Sequence, residues 1–268
     1  MYDVNQPQSN WTKEELAGFN IEIREVTEQG FFGRGWPSEI SFDANGTNHL
    51  DDGSILAVIG RLDYLMRHYV DEEQCLDNMA SDLHLILGSE TDGTITRTRE
   101  KLWLSMSREL VAIKTDACIL DANSKVLLIV QNGTLSRETP SDPEAHLIAA
   151  SIAAFQLNNR KRQNAIFQEV LTVETIPGII MVGGTPTFYK TLVSNTLDMA
   201  VQVGELPSRK TVVYKYCPIK PVYPAMLRKE EKEKVSLAFR AFMPFVLRTT
   251  TQGVDPKDCT VEANLRNK

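Results

Sequence analysis

Apolar positions between Ser54 and Gly88 recur every three or four residues, which is the spacing of amphipathic helices. The first stripe consists of Ile55, Ile59, Leu62, Met66 and Tyr69. The second consists of Leu76, Met79, Leu83 and Leu87. We therefore predict two helices, the second starting near Glu72 and ending at Gly88, because glycine readily adopts the left-handed conformation that ends helices.

The pattern changes to strict alternation after residue 100, which indicates strands. Leu102, Leu104 and Met106 alternate with less apolar residues. Two further strands are predicted near 111–120 and 125–131, joined by a polar turn at 121–124. Residues 126–130 are apolar on both faces, which is typical of a central strand covered by helices.

Asp142, Pro143 and Glu144 predict the start of a helix, because they supply an N-cap, a first-turn proline and an acid beside the positive end of the helix dipole. Ile148, Ile152 and Phe155 form its apolar stripe, and a polar stretch from Asn158 to Arg162 should end it. The elements predicted after it are strands at 176–182 and 187–193, a helix at 196–203, a strand at 211–216 and a helix at about 225–247.

This order of elements predicts an α/β (α+β) protein with a mixed central sheet flanked by helices. Residues 1–50, rich in Gly, Asn and Pro, are interpreted as an irregular leader that packs against the body. We assign residues 51–250 to a single α/β domain that ends in a C-terminal helix. Residues 251–268 are interpreted as a flexible tail.

Composition narrows the possible partners. The net charge of −6 provides no general attraction for nucleic acid or anionic membranes, so nucleic acid would have to bind at a local basic patch. The best clusters are 160–162 and 208–210, which we also interpret as solvated ends of elements. The four cysteines form no C-x-x-C pair, and no signal sequence or long apolar run is present, so we expect a soluble intracellular protein, cytoplasmic or nuclear, with no membrane partner. A protein or small-molecule partner is compatible with these features.

Three short stretches resemble the PD-(D/E)XK nuclease-like core found in a group of fungal proteins. They are Lys114-Thr115-Asp116, the run Leu-Ile-Val-Gln at 128–131 and Pro-Glu-Ala-His-Leu-Ile-Ala at 143–149. The resemblance extends from about Leu76 to Cys217, roughly half of the chain. It implies a restriction-endonuclease-like sheet and a divalent-metal site.

In that family an aspartate and an acidic residue on the next strand bind the metal, and a lysine two positions later assists at the phosphate. The resemblance places Asp116 and Asn132 as metal ligands, with Thr134 in place of the lysine. His146 replaces a glutamine of the following helix, and Glu73 is the acid assigned to the preceding helix. A neutral amide and a hydroxyl give a weaker site, so Mg²⁺ or Mn²⁺ is expected only if this variant site still functions. Asp116 is otherwise a strand-end carboxylate that is exposed to solvent or capped by backbone amides, and His146 a surface or packing residue.

Three functions are compatible with these residues. The first is a catalytically impaired nuclease-like protein, or pseudoenzyme, that acts as a binding or interaction module. The second is an active metal-dependent nuclease in which Lys114 or Lys125 replaces the missing lysine. The third is a cleft that binds or transforms a small molecule, lined by aromatic residues such as Trp103, Phe155, Phe188 and Tyr189.

Overall fold

The computed structural model describes residues 11–33, 57–61, 63–64, 82, 93–133, 142–164, 167–182, 185–220 and 227–248. The strands are β1 (Ile21–Glu25), β2 (Ile95–Thr98), β3 (Lys101–Met106), β4 (Glu109–Lys114), β5 (Ala117–Leu120), β6 (Val126–Asn132), β7 (Val173–Val182), β8 (Thr185–Ser194) and β9 (Thr211–Tyr216). The helices numbered here are α1 (Lys13–Gly18), α2 (Glu28–Phe32), α3 (Pro143–Asn164), α4 (Asn195–Val203) and α5 (Lys229–Arg248). Residues 57–61 are also helical.

Seven strands form one mixed sheet in the order β1-β9-β8-β7-β6-β5-β2. The pairs β1–β9 and β6–β7 are parallel, and the other pairs are antiparallel. Helix α3 packs on one face of this sheet, which we call the α3 face, and α5 packs on the other. The predicted α/β fold with a mixed, helix-flanked sheet is confirmed.

Strands β3 and β4 form a separate antiparallel pair that continues from β2 and β5. Both sides of this long hairpin bend at the same level. At the bend, Arg99 N donates to the carbonyl of Asp116, and Thr115 N donates to the carbonyl of Glu100. The predicted strand at 111–120 is therefore two strands, because the backbone leaves the sheet at Thr115 and Asp116.

Helix α3 begins at Pro143, as predicted, and continues to Asn164, beyond the polar stretch that was expected to end it. Polar side chains within that stretch are used for packing. Asn158 is fully buried, and its amide both accepts from Val126 N (2.8 Å) and donates to Val126 O (3.1 Å). Those contacts attach the helix to the start of β6, and they explain why the polar residues do not end it.

The other elements predicted beyond residue 100 lie near their expected positions, with β7 and β8 longer than predicted. The two predicted helices between Ser54 and Gly88 lie mostly outside the described residues. No described helix has both the length and the apolar character needed to cross a membrane.

The prediction of an irregular leader is wrong for residues 11–33, which form α1, β1 and α2, and β1 is an edge strand of the main sheet. The start of α1 carries a capping box, in which Thr12 Oγ1 accepts from Glu14 N and Glu15 accepts from Thr12 N. Trp11 is fully buried and stacks on Phe19. The Thr-x-x-Glu spacing was visible in the sequence, although the aromatic contact requires the folded chain.

Gly204→Ala should lower the free energy of unfolding by about 1–3 kcal/mol, because Gly204 ends α4 with a φ of 78° and a Cβ atom there would lie 2.7 Å from Ser107 Oγ. The tip of the β3–β4 hairpin docks at this point, where Ser107 N donates to Val201 O. Urea unfolding measures the change. Gly18→Ala is the control, because a Cβ atom at Gly18 meets nothing within 4 Å. Equal stabilities of the two variants would contradict the expectation.

Candidate functional site

Asp116 and Asn132, the two residues expected to bind metal, lie side by side. Their contact joins the carboxylate to the main chain, since Asp116 Oδ2 accepts from the backbone N–H of Asn132 at 2.7 Å. A backbone N–H directs its positive end at Oδ2, so one oxygen of the carboxylate already has a protein partner, and the residue beside it is a neutral amide. The residues present therefore fit a divalent metal poorly. Within the described part of the chain, no three His, Cys, Asp or Glu side chains form a group suited to a metal ion.

This contact changes the expected effect of substituting Asp116. If the carboxylate were simply exposed, its loss would leave stability unchanged. Here Asp116→Ala removes the acceptor for a partly buried N–H group, a loss that costs about 1–3 kcal/mol. Asp116→Asn keeps an oxygen acceptor at the same place, and is therefore the better variant for tests of metal binding.

His146 lies in the first turn of α3, as expected, and its Nε2 is 2.7 Å from the carbonyl oxygen of Lys114. Because a carbonyl only accepts hydrogen bonds, Nε2 carries the proton. The imidazole thus links the start of α3 to the end of β4. This contact gives His146 a structural role and occupies the nitrogen Nε2.

Of the remaining candidates, Lys125 does not join Asp116. Glu73 lies outside the described residues. Asp82, an acid from the same predicted helix, is buried and forms an ion pair with Arg61. Lys125 precedes β6, at the end opposite Asn132, and its Nζ lies 2.8 Å from a carboxylate oxygen of Glu174. Lys125 is therefore excluded as the replacement for the missing lysine.

A cleft of about 320 Å³ opens on the α3 face, beside Gly133 at the end of β6. We call it the strand-end cleft. Its floor consists of side chains from β7, β8, β9 and the residue after β9: Ile180, Val182, Thr187, Tyr189, Lys215 and Cys217. Its rim consists of Pro143 and Glu144 at the start of α3, together with Glu25 and Lys220.

The register of the sheet explains this grouping. Lys215 is paired with Tyr189 on β8 and with Glu25 on β1, so these three residues form one row across the sheet. Ile180 is paired with Thr187 and with Gln131, which form the next row. Residues two apart on a strand share a face, so both rows border the start of α3.

Glu144 is the centre of the polar contacts in the strand-end cleft. Its Oε1 accepts from the Tyr189 hydroxyl at 2.7 Å and from Lys215 Nζ at 3.1 Å. Lys215 Nζ also lies 3.9 Å from Glu25. Asp142 fixes the backbone of Glu144, because Asp142 Oδ1 accepts from Glu144 N at 2.9 Å.

Burial, together with the negative charge of Glu144, raises the pKa of the Tyr189 hydroxyl far above its ordinary value. Tyr189 is therefore protonated at neutral pH and donates to Glu144. Burial also raises the pKa of the Cys217 thiol. This thiol lies close to Ile219, and its Sγ donates to the carbonyl there at 2.8 Å. Cys217 is thus a neutral thiol and not an activated nucleophile.

Sequence reasoning used Glu144 only as a helix-start residue and did not select Lys215 or Cys217 as site residues. An acid in the first turn of a helix is so common that it carries no functional signal alone. The strands that supply Lys215 and Tyr189 become neighbours only through the sheet register.

Two of the four aromatic residues considered for a small-molecule cleft belong to the core. Phe155 and Phe188 are fully buried in the two hydrophobic clusters, and of the four aromatic residues proposed only Tyr189 lines the strand-end cleft. The basic cluster at 160–162 contacts local carbonyl groups; for example, Arg162 Nε donates to Glu169 O at 2.9 Å. In the cluster at 208–210, Lys210 pairs with Glu22.

Comparison of the sequence with models of known protein families gives no match, and comparison with curated proteins finds no similar sequence.

Proposed function

We propose that this protein is a catalytically impaired member of the PD-(D/E)XK nuclease-like group that acts as a binding module through the strand-end cleft. The proposed relationship is supported by the order of elements: antiparallel β5 and β6, then α3, then β7 parallel to β6. This is the order that the motifs at 114–116, 128–131 and 143–149 imply.

The observation that carries the loss of cleavage is the contact between Asp116 and Asn132. Metal-dependent phosphodiester cleavage needs hard anionic ligands and a cationic group near the phosphate. An amide residue occupies the place of the second acid, and one oxygen of the remaining carboxylate accepts from a backbone N–H. The carboxylate of Asp116 thus takes part in holding the bend of the hairpin to β6.

The binding role is supported by the chemistry of the strand-end cleft. It combines apolar side chains with a few converging polar groups, the composition typical of small-ligand sites. Its volume is near the lower end of such sites. Glu144 and Tyr189 are held by hydrogen bonds before any ligand arrives.

We expect calorimetric titration of Mn²⁺ to give no saturable heat with either the native protein or Asp116→Asn, and neither protein to cleave DNA or RNA with Mn²⁺ present. Asp116→Asn removes the charge and keeps an acceptor for Asn132 N, so the two proteins should be equally folded by circular dichroism. Saturable Mn²⁺ binding that disappears in Asp116→Asn, accompanied by Mn²⁺-dependent cleavage, would instead establish an active nuclease.

A further inference from the structure

In the strand-end cleft, Glu144 already accepts hydrogen bonds, whereas some lysine N–H donors are not used by the described residues. Glu144 already accepts from Tyr189 and Lys215. A lysine ammonium has three N–H donors, and the contacts of Lys215 with Glu144 and Glu25 engage two of them at most. Lys220 is exposed at the rim and pairs with no carboxylate of the described residues. N–H donors of Lys215 and Lys220 that no described carboxylate uses are therefore available on the cationic side of the cleft.

Gln131 adds a buried donor on the same face. It is 5% exposed, and its Nε2 has no hydrogen-bond partner among the described residues. Gln131 is paired with Ile180, whose side chain forms part of the cleft floor. Gln131 does not itself line the cleft, so the groups available to hold a ligand there are the ammonium groups of Lys215 and Lys220.

The charges favour an anion over a cation. The two acids of the cleft are each opposed by a lysine. Glu144 is paired with Lys215, and Glu25 is 61% exposed with Lys215 3.9 Å away, so its field is screened by water and opposed by the ammonium. The first amides of α3 offer no additional anion site, because Glu144 N and Ala145 N are directed at Asp142 Oδ1. The anion therefore has to be held by lysine side chains.

The apolar side chains of the cleft determine the chemistry of the uncharged part of the ligand. Ile180 and Val182 form one side of the cleft, where Gly133 lies so close that a Cβ atom on it would be 2.8 Å from Ile180 Cγ2. Pro143 lies opposite on the rim. A cleft of about 320 Å³ has room for a short aliphatic chain beside these side chains.

We propose that the strand-end cleft binds a small aliphatic monocarboxylate, with the carboxylate at Lys215 and Lys220 and the hydrocarbon chain against Ile180 and Val182. This inference rests on the proposed function, because it names the ligand class of the same cleft. A single negative charge suits the site, since Lys220 is the one rim cation without a described acid partner.

The test is titration of the native protein with pentanoate, followed by NMR chemical shifts of backbone amides. We expect saturable shifts at residues of β7, β8 and β9 that line the cleft. Pentylammonium and pentanol, which keep the chain and replace the carboxylate, should produce none at equal concentration. Lys220→Gln should weaken pentanoate binding about tenfold.

Lys234→Gln is the matched control, because Lys234 is an exposed lysine on α5, which packs on the opposite face of the sheet. It should leave pentanoate binding unchanged. The proposal is overturned by an absence of saturable shifts, by equal binding of pentanol or pentylammonium, or by equal weakening in Lys220→Gln and Lys234→Gln. The Mn²⁺ and cleavage experiments are independent of this titration, so failure of the ligand class and failure of the proposed function give different results.

Discussion

Glu174→Ala is expected to lower the free energy of unfolding by about 3–5 kcal/mol, the range seen when one partner of a buried ion pair is removed. Glu174 is 4% exposed, and its carboxylate lies 2.8 Å from the similarly buried Lys125 Nζ. Its other oxygen accepts from Asn158 Nδ2 at 3.2 Å. Removing the carboxylate leaves an ammonium ion in a site with little water and also breaks a contact that joins α3 to β7.

Urea unfolding followed by circular dichroism measures this change. Glu233→Ala is the control, because Glu233 is half-exposed and pairs loosely with Lys229, at 4.0 Å, so its loss should cost about 0.5 kcal/mol or less. The double variant Lys125→Met with Glu174→Gln should recover most of the loss, since it removes both charges and keeps an acceptor for Asn158. If the double variant is as unstable as Glu174→Ala, the stranded charge is not the cause.

Phe155→Ala is expected to lower the free energy of unfolding by about 3–5 kcal/mol. Removal of the large side chain leaves a cavity that the surrounding core fills only partly. Phe155 is fully buried in the middle of α3 and belongs to the cluster between that helix and the sheet. The neighbouring helix positions Ile152 and Ala154 are also fully buried, so the helix has little freedom to move into the space.

Phe167→Ala is the matched comparison for this experiment, since the same atoms are removed from a side chain that is 89% exposed. Phe167→Ala should change the free energy of unfolding by no more than about 0.5 kcal/mol. Thermal and urea unfolding of the two variants separate burial from the chemistry of the substitution. Similar losses in both would mean that Phe155 is not part of a close-packed core.

The sequence predicts α3 and β6 because the signals for both elements lie within the elements themselves. Residues 126–130 are apolar without interruption, and Asp142, Pro143 and Glu144 each favour a helix start through their own backbone and charge. The predicted adjacency of Asp116 and Asn132 was correct, because consecutive antiparallel strands place their facing ends together. The sequence left the chemistry of that contact open, since a carboxylate can face a metal, water or a backbone N–H, and the structure has the backbone N–H.

Residues 21–25, by contrast, form a strand because of a partner far away in the chain. Residues 21–25 look unremarkable as an isolated strand, with three charged residues of five. They form β1 because β9, nearly two hundred residues later in the chain, offers a free edge for parallel pairing. A contact between segments so far apart leaves no pattern in either segment.

The sequence by itself determined most elements from residue 100 onward, with β4 and β5 merged into one strand, together with the mixed character of the sheet and the neutral residue at position 132. These properties depend on local periodicity, on capping residues and on side-chain identity. Only the tertiary structure decided that Asp116 accepts from a backbone N–H, that Lys125 pairs with Glu174, and that Glu144, Tyr189 and Lys215 share one cleft. The physical reason is that strand register and helix placement bring these groups within hydrogen-bonding distance, and both are fixed by packing of the whole domain.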